Sequence, residues 1–414
     1  MTAASQTTIS ASPVSSVEQP VTSTQVGDQL LDRARAIGAF LREHSEVAER
    51  ERRLPSAVLQ ALAEAGFHRM LMPQPLGGLE VDPVTCARVV EAVAGYDSAA
   101  GWSLQSANVN AFFSSRLPDE GVEEILGRDS NAIVAAAFHP PQQAVQVEGG
   151  FRVTGRAPLA SMVHDSEWIL FGALVMDNGQ PRMTPFGPMM IAVIMRTSEV
   201  EILDTWYTLG MRGTDSNDAV FREVFVPARR SFPFTPEFTP GRHFQGPLYR
   251  FPAVPVTATF SVCVMMAAAR GAIDEVKDLA QRKVAMGSMK TLRDRGVVQA
   301  TLAQAEGTLR SGRALFYETM SEAWARTVAG GGHTMEQRAD LLLACVHAGE
   351  SAVKATTLMH GLAGTTGIYT RSRLDRYFRD VHTLHHHGFV SSSKLESVGQ
   401  VYLGLPPDFA LLPF

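Results

Sequence analysis

The sequence predicts an α+β protein in which a helical domain, a β domain and a second helical domain follow one another along the chain. Three observations support this. Apolar residues recur at three- and four-residue spacing from about residue 28 to 126, which indicates helices. Between residues 131 and 233 the period shifts to two, and from Pro255 the helical period returns in long runs. Helices and strands therefore do not alternate, which excludes Rossmann and TIM-barrel folds.

The predicted elements set the domain boundaries. Residues 1–26, mostly Ser, Thr, Ala, Gln and Val, predict a disordered tail without the basic and apolar regions of a secretory signal. We expect an N-terminal helical domain over 27–130, a β domain over 131–234 and a C-terminal helical domain over 235–414. The long helices of the last domain are predicted over roughly 254–285, 296–329, 335–362 and 371–384.

Local signals justify the individual elements. Pro55 suits the first turn of a second helix, and Asp82 or Pro83 suits the start of a third. In the β domain, Gly149 and Gly150 lie between two alternating runs, QAVQVE and FRVTG, and predict a hairpin turn. A bridge rich in Pro, Phe and Gly, SFPFTPEFTPGRHFQGP, leads into the last domain.

Composition limits the classes of function. The chain has 414 residues, and 37 Lys and Arg against 42 Asp and Glu give a net charge of −5, so we expect neither nucleic-acid binding nor membrane binding. Its apolar stretches are expected to be too short for a membrane span. Three distant cysteines, Cys86, Cys263 and Cys345, offer neither a disulfide framework nor a zinc site and suit a cytoplasmic location. A small-molecule ligand is the better expectation.

Three stretches resemble the acyl-CoA dehydrogenase fold family. GGFRVTGRAPLAS is similar to the family's GGYxVxGxKxWIS hairpin, TLGMRGTDSNDAVFREVFVP to its strand ending in VP, and GLAGTTGIYTRSRLDRYFRD to its GGxGY…ER…RD segment. The resemblance covers about residues 28–404. It implies an N-terminal α-helical domain, a middle β-barrel or sandwich and a C-terminal four-helix bundle.

The chain departs from that family at the catalytic base. Most acyl-CoA dehydrogenases carry a glutamate eight residues after the RD aspartate, where this chain has Gly388. The other known location, the first long C-terminal helix, reads VPVTATFSVCVMMAAARGAI and contains no acidic residue. Because proton abstraction next to a carbonyl needs a positioned base, a dehydrogenase or oxidase would require an unconventional one.

The same segments resemble the two-component flavin monooxygenases built on this fold. Arg379-Asp380-Val-His-Thr383-Leu-His-His-His387 is similar to their RDxxTxxxH, and the segment from Gly155 to Met162 to their GRWxFASG. The resemblance implies that reduced FMN or FAD comes from a separate NAD(P)H:flavin reductase. O2 would then form a flavin C4a-hydroperoxide that oxygenates a small organic substrate, most often aromatic or phenolic. N- or S-oxygenation and a non-catalytic, flavin-free relative are the remaining alternatives.

Three positions depart from the monooxygenase pattern. Pro158 replaces a variable or apolar residue, and Asp215 interrupts a GTGS turn. A histidine that the group often has on an N-terminal helix is absent, and Asn108 or Asn110 occupies its neighbourhood.

The resemblance identifies Ser161 and His387 as catalytic. Ser161 is expected to hydrogen-bond flavin N5 or the peroxide oxygen, the alternative being a turn serine. His387 is expected to deprotonate a phenol or donate to the peroxide, the alternative being a core histidine. His385 and His386 remain alternatives to His387. His382, His385 and His386 have helical metal-ligand spacing, but no Asp, Glu or Cys nearby completes a shell, so no metal is expected.

Further residues are expected beside the cofactor. Phe138, His139 and Pro140 end the first strand, where the fold touches the flavin ring edge. The glycine-containing turn and one arginine are expected near a flavin's phosphate or adenosine end in a neighbouring subunit of a homotetramer, which implicates Gly364, Thr365, Gly367 and Arg293. For the turn residues an ordinary helix connection is the alternative, and for the arginine a solvated side chain.

Overall fold

The N-terminal domain is helical, as predicted. The computed structural model describes residues 23–185, 187–235 and 237–413. The described helices of this domain are α1 (Ser23–Glu51), α2 (Ser56–Glu64), α3 (Pro83–Ala94), α4 (Ser98–Phe113) and α5 (Asp119–Ile125). Helix α1 begins inside the predicted tail of 1–26, and residues 1–22 lie outside the described residues. The carboxylates of Asp82 and Asp97 accept hydrogen bonds from the first turns of α3 and α4, which explains where these helices begin.

The middle domain is built on one eight-stranded sheet. Its strands and two short additional ones are β1 (Val134–Val147), β2 (Gly150–Ala160), β3 (Trp168–Asp177), β4 (Gln180–Pro181), β5 (Met183–Thr184), β6 (Gly187–Pro188), β7 (Met190–Arg196), β8 (Glu201–Leu203), β9 (Asn217–Pro227) and β10 (Ser231–Pro233). The order is β10-β7-β3-β1-β2-β9-β8, with β4 beside β3. Only the β1–β3 pair is parallel among the described strands. The predicted hairpin is confirmed, with Gly149 at φ +76° in the β1–β2 turn.

The sheet curls strongly. Phe171 on β3 and Phe221 on β9 have ring centroids 4.5 Å apart, although two strands, β1 and β2, lie between them in the sheet. In a flat sheet three strand spacings would separate them by roughly 14 Å. The curl closes one face around its own core, which includes Ile169, Val193 and Phe221. The opposite face, with Trp168 and Leu170, packs into the main core formed by the helical domains.

The C-terminal domain is a helical bundle. Its helices are α6 (Ala253–Arg282), α7 (Gly296–Val328), α8 (Met335–Ala363), α9 (Arg373–His385) and α10 (Lys394–Tyr402). The first four match the predicted runs to within three residues at each end. Helix α8 packs against α6, α7 and α9, so the bundle encloses a core shared with α3 and α4.

Helix α6 corrects one expectation from the sequence. An 18-residue window in it is apolar enough, by length and composition, to cross a membrane, because its Thr, Ser and Pro residues interrupt the apolar run without adding charge. However, 89% of that window is buried inside the protein, which is typical of the core helix of a globular bundle. The expectation that every apolar stretch is too short was therefore wrong, and burial accounts for the composition.

The curled sheet leads to a stability prediction. Replacing fully buried Phe171 by Ala is expected to lower the free energy of unfolding by about 3–5 kcal/mol, since it removes the ring that meets Phe221 and leaves a cavity. Phe225→Ala on the same sheet is the control, because Phe225 is 44% exposed and should lose less than about 1 kcal/mol. Urea unfolding measures both. Equal losses would contradict the curled core.

Candidate functional site

Ser161 lies at a sharp corner directly after β2. The pairing of β2 with β9 is irregular between Ala157 and Ala160, which leaves Pro158 and Leu159 as a bulge. A bulge needs no ladder hydrogen bond from proline, so Pro158 is tolerated here. Leu159 and Met162 both adopt left-handed conformations, at φ +63°, and Leu159 is 57% exposed. The bulge therefore presents an exposed apolar side chain beside the hydroxyl of Ser161.

A row of hydroxyl groups continues from Ser161 into the β domain. Ser161 Oγ lies 2.7 Å from Ser216 Oγ, which lies 2.7 Å from Thr214 Oγ1. Thr214 Oγ1 donates to the carbonyl of Met211 at 2.8 Å. On the other side, the indole Nε1 of Trp102 donates to Ser161 Oγ at 3.0 Å. Ser161 is thus tied to helix α4 and to the loop before β9.

The loop before β9 contains the residue that departs from the GTGS pattern. Asp215 adopts a left-handed conformation, φ +51°, which glycine adopts freely and aspartate tolerates better than most residues. Its carboxylate accepts hydrogen bonds from the backbone N–H of His164 and from Asn217 Nδ2, and it pairs with the ring Nδ1 of His164 at 2.8 Å. The substitution therefore preserves the turn that carries Ser216.

His387 reaches the same place from the C-terminal domain. Its ring makes an edge contact with Trp102 at 5.2 Å between centroids and a tilted contact with Phe389 at 5.7 Å. Nδ1 lies 3.3 Å from Ser261 Oγ on α6. Burial lowers the pKa of His387 to about 4, so the imidazole is neutral at neutral pH. Among the described residues, Nε2 has no hydrogen-bond partner and is available to a ligand.

A buried cluster of ion pairs fixes the relative positions of the elements that carry Trp102, Ser216 and His387. Arg376 on α9 donates to Asp97, the cap of α4, at 2.6 Å and to the carbonyl of Ser45 on α1 at 2.8 Å. It also lies 3.6 Å from Asp380, whose carboxylate accepts the backbone N–H of Met211 at 2.6 Å. Burial alone would lower the pKa of Arg376, but Asp97 and the other nearby carboxylates outweigh it and leave that pKa raised.

The cluster also includes a second arginine. Arg379 pairs with Glu49 on α1 at 2.6 Å and donates to the carbonyl of Leu209 at 2.8 Å. Burial raises the pKa of Asp380, against the opposing effect of Arg376 and of the Met211 amide. The cluster therefore joins α1, α4, α9 and the loop that leads to Thr214 and Ser216.

A small apolar cavity lies on the other side of His387. It has a volume of about 20 Å³, room for about one water molecule. Phe389 connects it to His387, and Thr257, one helical turn before Ser261, belongs to its wall. The wall is formed almost entirely by apolar side chains, namely Phe113, Phe138, Met190, Phe234, Ala253, Val254, Phe389 and Leu411.

Helix α4 runs along this whole region. Trp102, Ser106, Asn110 and Phe113 follow one face, from Ser161 at one end to the cavity at the other. The Nδ2 group of Asn110 donates to the carbonyl of Val134 at 2.6 Å, while its buried Oδ1 has no hydrogen-bond partner in the described part of the chain. A donor from a ligand or from a bound water would satisfy this acceptor.

These residues fit a flavin ring. The isoalloxazine has flat apolar faces and N–H and C=O groups at its edge. The exposed Leu159, the indole of Trp102, the hydroxyl of Ser161 and the free Oδ1 of Asn110 supply matching surfaces. Phe138, His139 and Pro140 do not end the first strand as expected, because β1 continues to Val147. Phe138 lies in the cavity wall at the edge of this region, while His139 and Pro140 are exposed in a bulge where β1 leaves its register with β3. Their role beside a cofactor stays a prediction.

The residues predicted to lie near the flavin's phosphate come together far from Ser161 and His387. Lys283, at the end of α6, donates to the carbonyl of Ala363 at 2.5 Å and to Thr366 at 2.7 Å, beside Gly364 and Thr365. Its carbonyl accepts the N–H of Leu292, next to Arg293. Ser261 and Lys283 are 22 residues apart on one helix, roughly 33 Å. One flavin mononucleotide cannot span that length within one chain.

Gly364, Gly367 and Arg293 also have features that local structure alone explains. Gly364 has φ +53°, a conformation that favours glycine, and Gly367 packs against the ring of His360. Arg293 donates to Gln281 at 2.9 Å and is 60% exposed at its side chain. Their contact with a cofactor stays a prediction.

His382 and His386 have different neighbours from His387. The ring of His382 makes a tilted contact with Phe378 at 4.2 Å between centroids and lies near Thr357, and His386 is exposed. The described residues contain no group of three or more His, Cys, Asp or Glu side chains that could hold a metal ion. Asn108 bonds the backbone at Phe67, Leu71 and Leu104, a structural role.

Sequence reasoning missed several polar members of this site. Trp102, Thr214, Ser216 and Ser261 were not singled out as functional. Ser216 ends the Gly213-Thr214-Asp215-Ser216 turn, and Trp102 precedes the position of the absent N-terminal histidine, so both stretches offered a signal. Ser261 gave none, because a single serine in an apolar helix is indistinguishable from a core residue.

The chain matches known families at both ends. Residues 28–115 match the family described as acyl-CoA dehydrogenase, N-terminal domain, and residues 259–392 match acyl-CoA dehydrogenase, C-terminal domain. The chain is 30% identical over 381 residues to indole-3-acetate monooxygenase of Pseudomonas putida, with 92% of each protein covered. It is 26% identical over 373 residues to the flavin-dependent monooxygenase oxygenase subunit HsaA of Mycobacterium tuberculosis, covering 89% of this chain and 93% of that protein.

A solved structure supports the same fold. XiaF from Streptomyces sp., in complex with FADH2 and glycerol, superimposes with a TM-score of 0.87 at 21% identity, over 93% of this chain and 98% of that one. The predicted domain order and fold are confirmed.

The partly buried imidazole of His387 leads to a prediction about pH. The unfolded chain's imidazole, with pKa 6.5, takes up a proton below that pH, whereas folded His387 stays neutral down to about pH 4. Between pH 7 and 5 this difference removes about 2 kcal/mol of stability. Urea unfolding of His387→Gln should therefore lose about 2 kcal/mol less over that interval. His386→Gln, at an exposed position, should keep the wild-type pH dependence. The same slope in both variants would contradict the burial of His387.

Proposed function

The chain belongs to the acyl-CoA dehydrogenase family, and from this premise we propose that it is a flavin-dependent monooxygenase that inserts one oxygen atom from O2 into a small aromatic substrate. A separate NAD(P)H:flavin reductase supplies its reduced flavin. The relatives named indole-3-acetate monooxygenase and flavin-dependent monooxygenase oxygenase subunit support this class. Reduced flavin supplies the electrons that activate O2.

The observation that carries the proposal is the meeting of Ser161 and His387 at Trp102. The indole N–H bonds the serine hydroxyl, and the indole ring contacts the imidazole. Two residues from different domains, 226 positions apart in the chain, thus flank one aromatic side chain. Their surroundings contain hydroxyl, amide and aromatic groups, and no carboxylate of the described residues hydrogen-bonds to either of them.

The same geometry argues against acyl-CoA dehydrogenation. Gly388 has no side chain, is exposed and has open space where a Cβ would be. Helix α6 presents Ser261 and Thr257 to the region, and its buried segment from Ala253 to Ala269 contains no acid. Without a carboxylate the site offers no base of the kind that removes the α-proton of a thioester.

His387 acts on the substrate in this proposal. A neutral imidazole whose Nε2 is free accepts a hydrogen bond from a phenol O–H or a ring N–H, and the contact with Ser261 Oγ orients the ring. The phenylalanine-lined cavity beside it favours a flat apolar ligand. At about 20 Å³ it cannot hold an aromatic ring as it stands, so entry of the substrate requires movement of side chains such as Phe389.

The assembly and location are also proposals. The roughly 33 Å between Ser261 and Lys283 favours a homotetramer in which Arg293 and the turn at Gly364 serve the flavin of a neighbouring subunit. The three cysteines are free and buried, in keeping with a cytoplasmic protein.

The proposal is tested with purified protein, a flavin reductase, NADH, FMN or FAD, and a panel of indoles and phenols under isotopically labelled O2. Mass spectrometry should show one labelled oxygen atom in a product that depends on both proteins. Bleaching of a tightly bound oxidised flavin by an acyl-CoA, without oxygenated product, would overturn the proposal in favour of a dehydrogenase. Absence of flavin binding in either redox state would favour a non-catalytic relative.

His387→Ala is expected to lower product formation at least 100-fold, because general acid–base groups contribute about that factor or more. Its affinity for reduced flavin should change less than about threefold. His386→Ala is the matched control, since His386 is exposed and adjacent in sequence. Product yield and anaerobic flavin titration measure both quantities. A wild-type yield in His387→Ala would remove His387 from the mechanism.

A further inference from the structure

The cavity beside His387 is closed on one side by the last described stretch of the chain. Residues 404–413, which we call the C-terminal strap, follow α10 without forming a helix or a strand, and Leu411 of the strap belongs to the cavity wall. We propose that the strap is the movable wall of this site and that Leu411 determines the size of the aromatic substrate. The ligand class rests on the proposed function, whereas the placement of the strap follows from the chain alone.

The opposite wall is fixed by the packed helices. Phe113 ends α4, and Ala253 and Thr257 lie on the first two turns of α6; these three residues are 7%, 3% and 3% exposed. Phe113 and Ala253 belong to the main core, where side chains are densely packed. Moving this wall would shift whole helices, so the cavity opens more easily on the side of the strap.

The strap packs in a smaller cluster. Leu411 contacts a group of buried residues that includes Val254, Val398 and Leu412 and is separate from the main core. Within residues 404–413, Leu412 alone is buried, at 1% exposure, while Leu411 is partly buried. A segment without regular structure and with one deeply buried side chain opens at a lower cost in free energy than a core helix does.

Side chains of α10 attach the strap by hydrogen bonds. Gln400 Nε2 donates to Asp408 Oδ2 at 2.6 Å, and Gln400 Oε1 accepts the backbone N–H of Asp408 at 2.8 Å. Ser397 Oγ accepts the backbone N–H of Phe409 at 2.9 Å. Because the pair of Gln400 and Asp408 is exposed, water replaces these partners when the strap leaves, and each bond contributes only modestly to the closed position.

The strap begins at a hinge. Gly404, two residues after the end of α10, adopts φ +74°, a left-handed conformation that glycine reaches without strain. Pro406 and Pro407 then restrict the backbone, so the residues beyond them move as one unit. Leu405, between the hinge and the prolines, is 54% exposed and does not oppose a rotation. Rotation at Gly404 therefore carries Leu411 away from the cavity.

Movement of the strap also reaches the neighbour of His387. The ring of Phe409 meets Phe389 in a T-shaped contact, 6.0 Å between centroids, and Phe389 lies 5.7 Å from the imidazole. Phe389 and Leu411 both line the cavity. Opening the strap withdraws Leu411 and removes a contact that holds Phe389, which enlarges the space in front of His387. Closure over a bound substrate then excludes water from that space.

The side chain at position 411 sets the space that remains after closure. The cavity has a volume of about 20 Å³, and its opposite wall does not yield. A single methylene in an apolar pocket changes the discrimination between two substrates by about tenfold or more. The branched side chain of Leu411 therefore disfavours fused rings relative to a single ring.

Substrate size tests the role of Leu411. Leu411→Ala should raise the ratio of kcat/KM for 2-naphthol to that for phenol by about tenfold or more, and Leu411→Phe should lower it by a similar factor. Leu405→Ala is the matched control, because Leu405 lies on the strap, is exposed and does not line the cavity. Mass spectrometry of the products gives the ratios. A wild-type ratio in both Leu411 variants would overturn this role.

The rate of ligand binding tests the movement of the strap. Gln400→Ala removes both hydrogen bonds to Asp408, so 2-naphthol should associate about fivefold faster than with the wild-type protein, as followed by stopped-flow fluorescence. Glu396→Ala, at an exposed position of α10, is the matched control and should keep the wild-type rate. Equal rates in Gln400→Ala and the wild-type protein would overturn the movable wall.

Binding without turnover separates this inference from the proposed function. The dissociation constants of 2-naphthol and phenol are measured for the purified wild-type protein and for Leu411→Ala. The expected change in their ratio, without oxygenation of any aromatic compound, refutes the proposed function and supports the strap. Oxygenation by the wild-type protein, with no effect of the strap variants, refutes only the strap. Circular dichroism and urea unfolding of each variant confirm that the compared proteins are folded.

Discussion

The pairing of Arg376 with Asp97 and Asp380 is the interaction on which the geometry of the site depends. Burying a charge costs several kcal/mol unless it is paired. Asp380 lies one turn along α9 itself, so α9 can dock only where Asp97 is already in place. Asp97 begins the helix that carries Trp102, and Asp380 holds the loop that leads to Ser216. One arginine therefore sets the relative positions of three chain segments that come from all three domains.

Around this charged anchor the site itself is nearly uncharged. The neutral imidazole, the hydroxyl row and the phenylalanine-lined cavity leave little that could hold bulk water next to a reactive oxygen species. Charge is thus concentrated where it fixes geometry and absent where chemistry takes place. This separation explains why a near-neutral chain with only 19% charged residues forms a specific site.

The sequence predicted the parts of the molecule that depend on local pattern. Helical period, hairpin glycines and capping residues gave the domain order and most helix ends, and motif resemblance pointed to Ser161 and His387. The partners of those two residues could not be predicted from the sequence, because Trp102, Ser216 and Ser261 acquire a role only when three domains meet. The same holds for Asp215, whose departure from a glycine pattern becomes understandable once its φ of +51° is known.

The burial of α6 has a consequence for how the protein is made. During synthesis this helix leaves the ribosome before α8 and α9, the two C-terminal helices that pack closely on it, have been translated. About 100 further residues must be added, which at ordinary translation rates takes roughly 5–20 s. For that time the nascent chain presents a helix apolar enough to resemble a membrane anchor. Productive biogenesis therefore depends on how long this one segment stays incompletely covered, with α3 and α4 already made and α8 and α9 still to come, and not only on the stability of the finished fold.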